Sequence, residues 1–436
     1  MSSARLGLWW KRTRRKVFLR ATVYGALGVA TALFGAWAKS FIPEAVAGMI
    51  GADSVGGILT ILASSMLAVT TFSLSTMVAA YSAAASSATP RATTLLIADR
   101  SAQGALATFI GAFLFSVVGL IALSTGIYGD SGRVVLFAAT VLVVVVITVT
   151  LLRWIDRLSS FGRVGTTINL VEDATAEAVR AHLDDPWLGA TPAQGAPPEG
   201  AAAIEHARIG YVDLIDVAEL DALARAHGCA IHVAIRPGGF AAPGRTIAWV
   251  AGAPADDALA DSIRAAVRVG DERTFDQDPR FGFVVLTEIG SRALSAAIND
   301  PGTAIDVIGT LTRLLCRWGA VQAAPERAEV RYRHVHMPGV AAHDLFDDIF
   351  PPLARDGAGI LEVGIRLQKC LAAIARCASP AFSDAARAHA DAALARAQAA
   401  MAWPDDADTL TAVHRDGLHP YPAAPGPLPH AGTRGA

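Results

Sequence analysis

The sequence predicts an α-helical membrane domain of four transmembrane helices, followed by a cytoplasmic α/β domain that is mainly α. Three observations predict this. Hydrophobic residues make up 53% of the 436 residues and charged residues only 17%, which is greasy for a soluble protein. Charges are rare up to Leu152, while beyond Arg153 the chain reads as an ordinary soluble sequence. The apolar part contains four stretches long enough to cross a ~30 Å hydrocarbon core, which takes about 20 residues. The expected division is a transmembrane domain over 1–155, a juxtamembrane helix over 156–183, a flexible linker over 184–203, a cytoplasmic α/β domain over 204–403 and a disordered tail over 404–436.

The spans are expected near Val17–Ala38, Val55–Ala85, Ala105–Ile127 and Val134–Leu152. Those after the first contain no ionisable residue, and Arg20 and Lys39 sit at the ends of the first, where they can snorkel. The basic start, the apolar run and Ala36-Trp37-Ala38 resemble a secretory signal. The run is long for a signal core and more spans follow, so the first stretch is expected to stay as a span. Basic residues crowd the N-terminus (Arg5, Lys11, Arg12, Arg14, Arg15, Lys16) and recur in the loop after span two (Arg91, Arg100) and after span four (Arg153, Arg157, Arg163). Positive and positive-poor loops alternate, which puts both termini in the cytoplasm. Trp9, Trp10, Trp37, Tyr128 and Trp154 suit interfacial anchors. Arginine far outnumbers lysine, and alanine is heavily used, as in bacterial chains of GC-rich coding. The expected location is the bacterial inner membrane.

Ser54 to Pro90 has no charged side chain yet is full of hydroxyls. At about 100° per residue, Thr60, Ser64, Thr71, Ser75 and Ser82 fall within roughly 60° of one another. Such a stripe either packs against other helices or lines water. Proton-coupled pumps place ionisable groups inside the membrane, and this span has none. A passive pathway remains open, and it requires an oligomer because four thin helices can hardly enclose a pore. Span two is about 30 residues long, so it tilts or extends beyond the bilayer. Span three has a small-residue face, Thr108, Ala112, Ser116 and Gly119, expected to pack on span two. Span four, with its valine run Val143–Val146, reads as lipid-facing. In the connector, Pro90 disfavours helix at Thr89. Thr93–Ile97 is expected along the cytoplasmic surface, with Pro90, Arg91, Asp99 and Arg100 as a candidate gate or interface.

Ile155–Leu183 has a helical pattern and is expected to continue span four. In the soluble part, strands are expected at Tyr211–Ile215, Ala230–Ile235, Thr246–Val250 and Arg331–His336, with a turn at Pro237-Gly238-Gly239. Helices are expected at Val217–His227, Asp256–Val269, Phe281–Ser295, Gly302–Trp318, Ile360–Cys377 and Phe382–Trp403.

Candidate chemistry is thin. Asp300 in Asn299-Asp300-Pro301 reads as a helix cap with proline in the first turn. Glu288 and Arg292 form a solvated i,i+4 pair. Arg273, Asp276 and Asp278 form a charged loop, and His334 and His336 share a strand face with His343 nearby, without a completing carboxylate or cysteine set for a metal. Cys229, Cys316, Cys370 and Cys377 lack C-x-x-C spacing and read as buried small hydrophobes. No phosphate-binding glycine pattern and no nucleophile–base motif is present. A formal net charge of −2 gives no nucleic-acid footprint. The expectation is therefore no enzyme, no cofactor and no metal. The expected partners are the lipid bilayer, further copies of the chain and inorganic ions. Three functions compete: an oligomeric ion channel lined by span two and regulated by the cytoplasmic domain, a membrane-anchored structural, assembly or signalling protein, or, behind these two, an enzyme or transporter with an unrecognised site.

The chain resembles the bacterial predicted-membrane-protein family called domain of unknown function 2254, from the first span to about Leu315. The resemblance rests on Ser87-Ala88-Thr89-Pro90-Arg91 with Asp99-Arg100 and Thr108-Phe109-Ile110-Gly111. It continues in Gly210-Tyr211-Val212 and Arg236-Pro237-Gly238-Gly239-Phe240, then in Glu272-Arg273-Thr274, Gln277-Asp278-Pro279 and Ala293-Leu294-Ser295 to Asn299-Asp300-Pro301. The chain departs from the family pattern at Ala88, where an aromatic is usual, at Ala296 in place of proline and at Gly302 in place of threonine. The resemblance implies a multi-span membrane protein with a cytoplasmic domain, and it implies no activity and no functional residue.

Overall fold

The computed structural model describes residues 52–125, 129–321 and 329–418, with positions 22, 23, 25, 26, 29 and 30. The chain divides into two units, Met1–Leu170 and Val171–Ala436. The first expected span, Val17–Ala38, lies outside the described residues apart from those few positions. Among the described residues, three helices are long and apolar enough to cross a membrane, over Ser54–Ser87, Arg100–Ser124 and Gly132–Leu158.

In the first unit these spans belong to α1 (Ala52–Ser87), α3 (Arg100–Ser124) and α4 (Gly129–Ser160), with the short α2 (Pro90–Ile97) between α1 and α3. Leu62, Met66 and Met77 of α1 pack with Ala105, Leu106, Phe109 and Ala112 of α3 and with Ile147 and Trp154 of α4. A second cluster joins Val55, Leu59, Phe115, Ala122 and Leu136. The small-residue face of α3 lies where the sequence puts it: Ala112, Ser116 and Gly119 are buried. A side chain at Gly119 would meet Leu59 at 3.2 Å, so glycine there sets the closeness of α1 and α3. Val141, Leu142, Val144, Val145, Val146 and Val149 of α4 are exposed.

The helix expected to run on from span four is interrupted. α4 ends at Ser160, a turn follows, and α5 spans Val164–Asp184, with the unit boundary inside it. Gly162 has φ +81°, a left-handed conformation that ends a helix and that glycine adopts without steric cost.

The second unit holds two sheets. The five-stranded sheet has the order β1-β8-β4-β6-β2, from β1 (Ala190–Pro192), β8 (Tyr332–Met337), β4 (Ala230–Val233), β6 (Thr246–Ala251) and β2 (Ala202–Glu205). β8 pairs in parallel with β1 and β4, and β6 runs antiparallel to β4 and β2. The three-stranded sheet has the order β5-β3-β7, from β5 (Phe240–Ala241), β3 (Gly210–Ile215) and β7 (Val267–Gly270). The helices α6 (Val217–His227) and α7 (Asp257–Ala266) share a core with the strands, built on Val212, Leu220, Ile231, Val250, Ile263 and Val335. α8 (Phe281–Ala293), α9 (Pro301–Val321), α10 (Ala342–Asp356), α11 (Leu361–Cys377), α12 (Pro380–Ala400) and α13 (Pro404–Leu418) complete the unit. Trp318 is fully buried, against His182, Phe283 and Phe382.

Several expectations need correction. Residues 184–203, read as a loose linker from their Pro, Gly and Ala content, supply β1 and the start of β2. The helix expected over Asp256–Val269 stops at Ala266, and Val267–Gly270 pairs with β3 as β7, because Val267 and Val269 alternate with Arg268 and can bury one face. The tail expected to be disordered begins with α13, whose Leu410 is fully buried. The rest of that tail lies outside the described residues.

Candidate functional site

The five stripe residues Thr60, Ser64, Thr71, Ser75 and Ser82 are all exposed on α1. The buried positions of the same helix are Val55, Leu59, Leu62, Met66, Ser73, Met77 and Ala84. At about 100° per residue these lie on the face roughly opposite the stripe. Among the described residues, then, α1 packs with its back to the stripe. Three of the stripe hydroxyls bond within their own helix: Thr60 Oγ1 donates to Gly56 O at 2.8 Å, Ser64 Oγ to Thr60 O at 2.9 Å and Thr71 Oγ1 to Leu67 O at 3.0 Å. Their protons are satisfied locally, and their oxygens remain as outward acceptors.

One hydroxyl of α1 points the other way, and sequence reasoning missed it. Ser73 is buried and its Oγ accepts the indole N–H of Trp154 at 3.0 Å. Trp154 is itself 3% exposed, which corrects its reading as an interfacial anchor. The available signal was an unmatched hydroxyl outside the stripe; its partner lies 81 residues away in sequence.

The connector is built from the local rules. Thr89 is extended (φ −155°, ψ 146°), as a residue before proline should be, and its Oγ1 accepts from the Arg91 amide at 3.4 Å. Pro90 then starts α2, which buries Ala92 and Leu96 and leaves Pro90 and Arg91 exposed. Asp99 caps α3, accepting from the Ser101 amide at 3.1 Å. Its other oxygen takes two donors from Arg157 of α4, Nη2 at 2.8 Å and Nε at 3.0 Å. Arg157 also lies over Phe161, 5.8 Å from the ring centroid, and Phe161 meets Tyr81 and Trp154 at 5.9 and 6.2 Å. Of the proposed gate residues, the structure therefore ties Asp99 to α4, and it leaves Pro90, Arg91 and Arg100 at the surface of the unit.

In the second unit the charged loop is a structural knot. Asp278 is 2% exposed; it accepts from Arg273 Nε at 2.8 Å and from the Arg280 amide at 3.0 Å. Arg280 in turn pairs with Asp348 at 2.6 Å. Burial pushes the Asp278 carboxyl up, opposed by the Arg273 charge. Gln277 brackets the backbone of Ile215, accepting its amide at 2.9 Å. Gly238 sits against Asp278 so closely that a Cβ would lie 2.0 Å from the carboxylate. Arg236, on the same turn, donates to the Pro338 carbonyl. Burial lowers its guanidinium to about 10. Burial, and then the Arg236 charge, lowers His182 to about 3.

The histidines have separate partners. His334 bonds Asp221 at 3.2 Å, His336 stacks on His232 with centroids 4.3 Å apart, and His343 meets Asp347 at 2.7 Å. Among the described residues, no group of three metal-ligating side chains converges. Asp300 caps α9, accepting from the Thr303 amide at 3.0 Å. Cys229 and Cys370 are buried as the sequence suggests, but Cys316 is half-buried and Cys377 is exposed. The reading of all four cysteines as interior hydrophobes is corrected for that pair.

The family described as "Predicted membrane protein (DUF2254)" matches residues 14–373. The chain is similar to an uncharacterized protein of Mycobacterium bovis and one of Mycobacterium tuberculosis, each 34% identical over 122 residues, which is 27% of this chain. The match spans only 23% of the length of those relatives. No solved structure matches the chain.

Proposed function

Because the chain belongs to the predicted membrane protein family DUF2254, and so is a membrane protein with several apolar helices, we propose that it assembles into a homo-oligomer in the bacterial inner membrane. In this reading the hydroxyl face of α1 turns toward a shared axis and lines a passive path for small inorganic ions, with both termini in the cytoplasm. The second unit, which has no enzymatic role here, regulates that path. The observation that carries the reading is the outward direction of all five stripe residues, opposite the packed face of α1.

A comparison within the unit supports it. The most apolar windows of α1 and α4 are both sparsely covered, 22% and 17% buried, against 50% for α3. The open face of α4 carries valines and leucine, as lipid requires. The open face of α1 carries Ile61, Leu67, Phe72, Leu74 and Val78, and among them a lane of hydroxyls, which gain nothing from lipid. Their outward oxygens suit a cation or a file of water. The span lacks any Asp, Glu, His, Lys or Arg, which fits passive flow and not a proton relay.

A second reading keeps the oligomer and closes the face. The hydroxyl protons already bonded to their own helix allow a dry helix–helix contact in an assembly or signalling protein. Ser64→Cys, Thr71→Cys and Ser75→Cys, each in a chain cleared of native cysteines, separate the two. Labelling of all three by a water-soluble, membrane-impermeant thiol reagent is expected for a wet face. Protected cysteines, together with silent planar bilayers across salts, pH and voltage, would sink the channel.

A further inference from the structure

We propose that Cys316 and Cys377 are a redox pair that closes into a reversible disulfide between α9 and α11. Their sulfurs face each other at 2.6 Å, both as free thiols. This approach is built into the backbone around them. Thr312 and Cys316 are one turn apart on α9, and Cys370 and Cys377 lie two turns apart on α11. Thr312 Oγ1 reaches Cys370 Sγ at 2.6 Å, so the two helices run side by side in the same direction and touch at two points. Just beyond Cys316, Gly319 lets the chain come close: a Cβ there would stand 2.5 Å from the Ala378 Cβ. The Ser379 amide closes the contact by donating to Gly319 O at 3.2 Å.

The two sulfurs have different access. Cys377 is exposed at the last residue of α11, where a small oxidant can reach it. Cys316 is half-buried, and burial, reinforced by its cysteine neighbours, pushes its thiol up to about 12. It therefore keeps its proton while Cys377 meets the oxidant, and it gives that proton up to the departing hydroxyl when it attacks. Cys370 is fully enclosed and bonded to Thr312, so it stands outside the exchange.

The oxidant is a hydroperoxide. The Cys377 thiolate attacks one peroxide oxygen, the O–O bond breaks, and the departing hydroxide takes a proton as water, leaving a sulfenic acid on Cys377. The Cys316 sulfur then attacks the Cys377 sulfur, the S–S bond forms, the S–O bond breaks, and a second water leaves with the Cys316 proton. Overall two thiols and one hydrogen peroxide give one disulfide and two waters. A small thiol reverses the step by thiol–disulfide exchange.

The test uses the full chain in detergent, exposed to hydrogen peroxide, alkylated with N-ethylmaleimide and digested with trypsin. The four cysteines fall in separate tryptic peptides; those of interest are 314–317 and 377–387. The expected product is a cross-link between these two, removed by reductant, with Cys229 and Cys370 unlinked. Cys316→Ser should leave Cys377 as a trappable sulfenic acid, and Cys377→Ser should leave Cys316 reduced. Three results on the wild-type chain would overturn the proposal, and none depends on a variant folding: Cys377 oxidised without linkage to Cys316, Cys377 joined to its counterpart in a second copy, or both thiols still reduced.

Discussion

Trp154 of α4 donates its indole N–H to the buried Ser73 hydroxyl of α1 across 3.0 Å. This is the one side-chain hydrogen bond between these two helices in the apolar part of the first unit, among the described residues. Ser73→Ala leaves a buried indole donor without its partner. The expected cost is about 1 kcal/mol, the scale of interhelical hydrogen bonds in membranes. Unfolding of purified protein in mixed micelles measures it, and a cycle with Trp154→Phe should show the two losses to be non-additive.

Asp99 has two roles that separate by substitution. It caps α3 and pairs with Arg157. Asp99→Asn keeps the cap and loses the charge, whereas Asp99→Ala loses both. The alanine variant is expected to cost about 1–2 kcal/mol and the asparagine variant less. Amide exchange over residues 89–101 reads the loosening of the connector. Equal protection in both variants and the parent chain would show that the pair holds nothing in place.

Gly238 cannot become alanine without moving the Asp278 knot. Its φ is +86°, and the new Cβ would overlap the Asp278 carboxylate. Backbone strain and overlap together should cost about 2–4 kcal/mol. Thermal unfolding of the second unit measures this. Gly195→Ala, where φ is also positive (+73°) but nothing stands within 4 Å, serves as the control and isolates the strain.

The second unit should lose stability as pH falls from about 6.5 toward 3. His182 is buried against Trp318, and its folded value is lowered to about 3. The unfolded chain takes up a proton near pH 6.5 while the folded chain refuses it, so acid favours unfolding. The contribution is fully present above about 6.5 and approaches a slope of about 1.4 kcal/mol per pH unit within the window. His182→Phe keeps the ring packing and should flatten the profile by about one proton. Denaturant midpoints at pH 4.5, 5.5 and 7 give the slope, and an unchanged profile would show that His182 titrates normally.

The membrane helices were legible because a bilayer imposes a length and a composition that no local exception overrides. α1, α3 and α4 each announce themselves as long apolar runs, and Thr89-Pro90 and Asp99 mark the helix ends between them. In the soluble part, Val217–His227 is bounded by Asp216 and the left-handed Gly228, so both ends are written in the chain. α10 was hidden, because Pro351 and Pro352 lie inside it and argue locally against helix. β1, β2 and β7 were hidden for another reason: strands of three or four residues become strands only by pairing with distant segments.

By itself the sequence determined that α1 is apolar, free of charge and striped with hydroxyls, since helical periodicity turns spacing into direction. Only the tertiary structure decided which side of α1 is used for packing, and so left the stripe facing outward. It also decided that Ser73 finds Trp154, that Asp99 finds Arg157 and that Cys316 meets Cys377, across 81, 58 and 61 residues of chain. Spacing along a helix is a local property of the backbone. Meetings between helices depend on how closely they pack, which small residues such as Gly119 and Gly319 set.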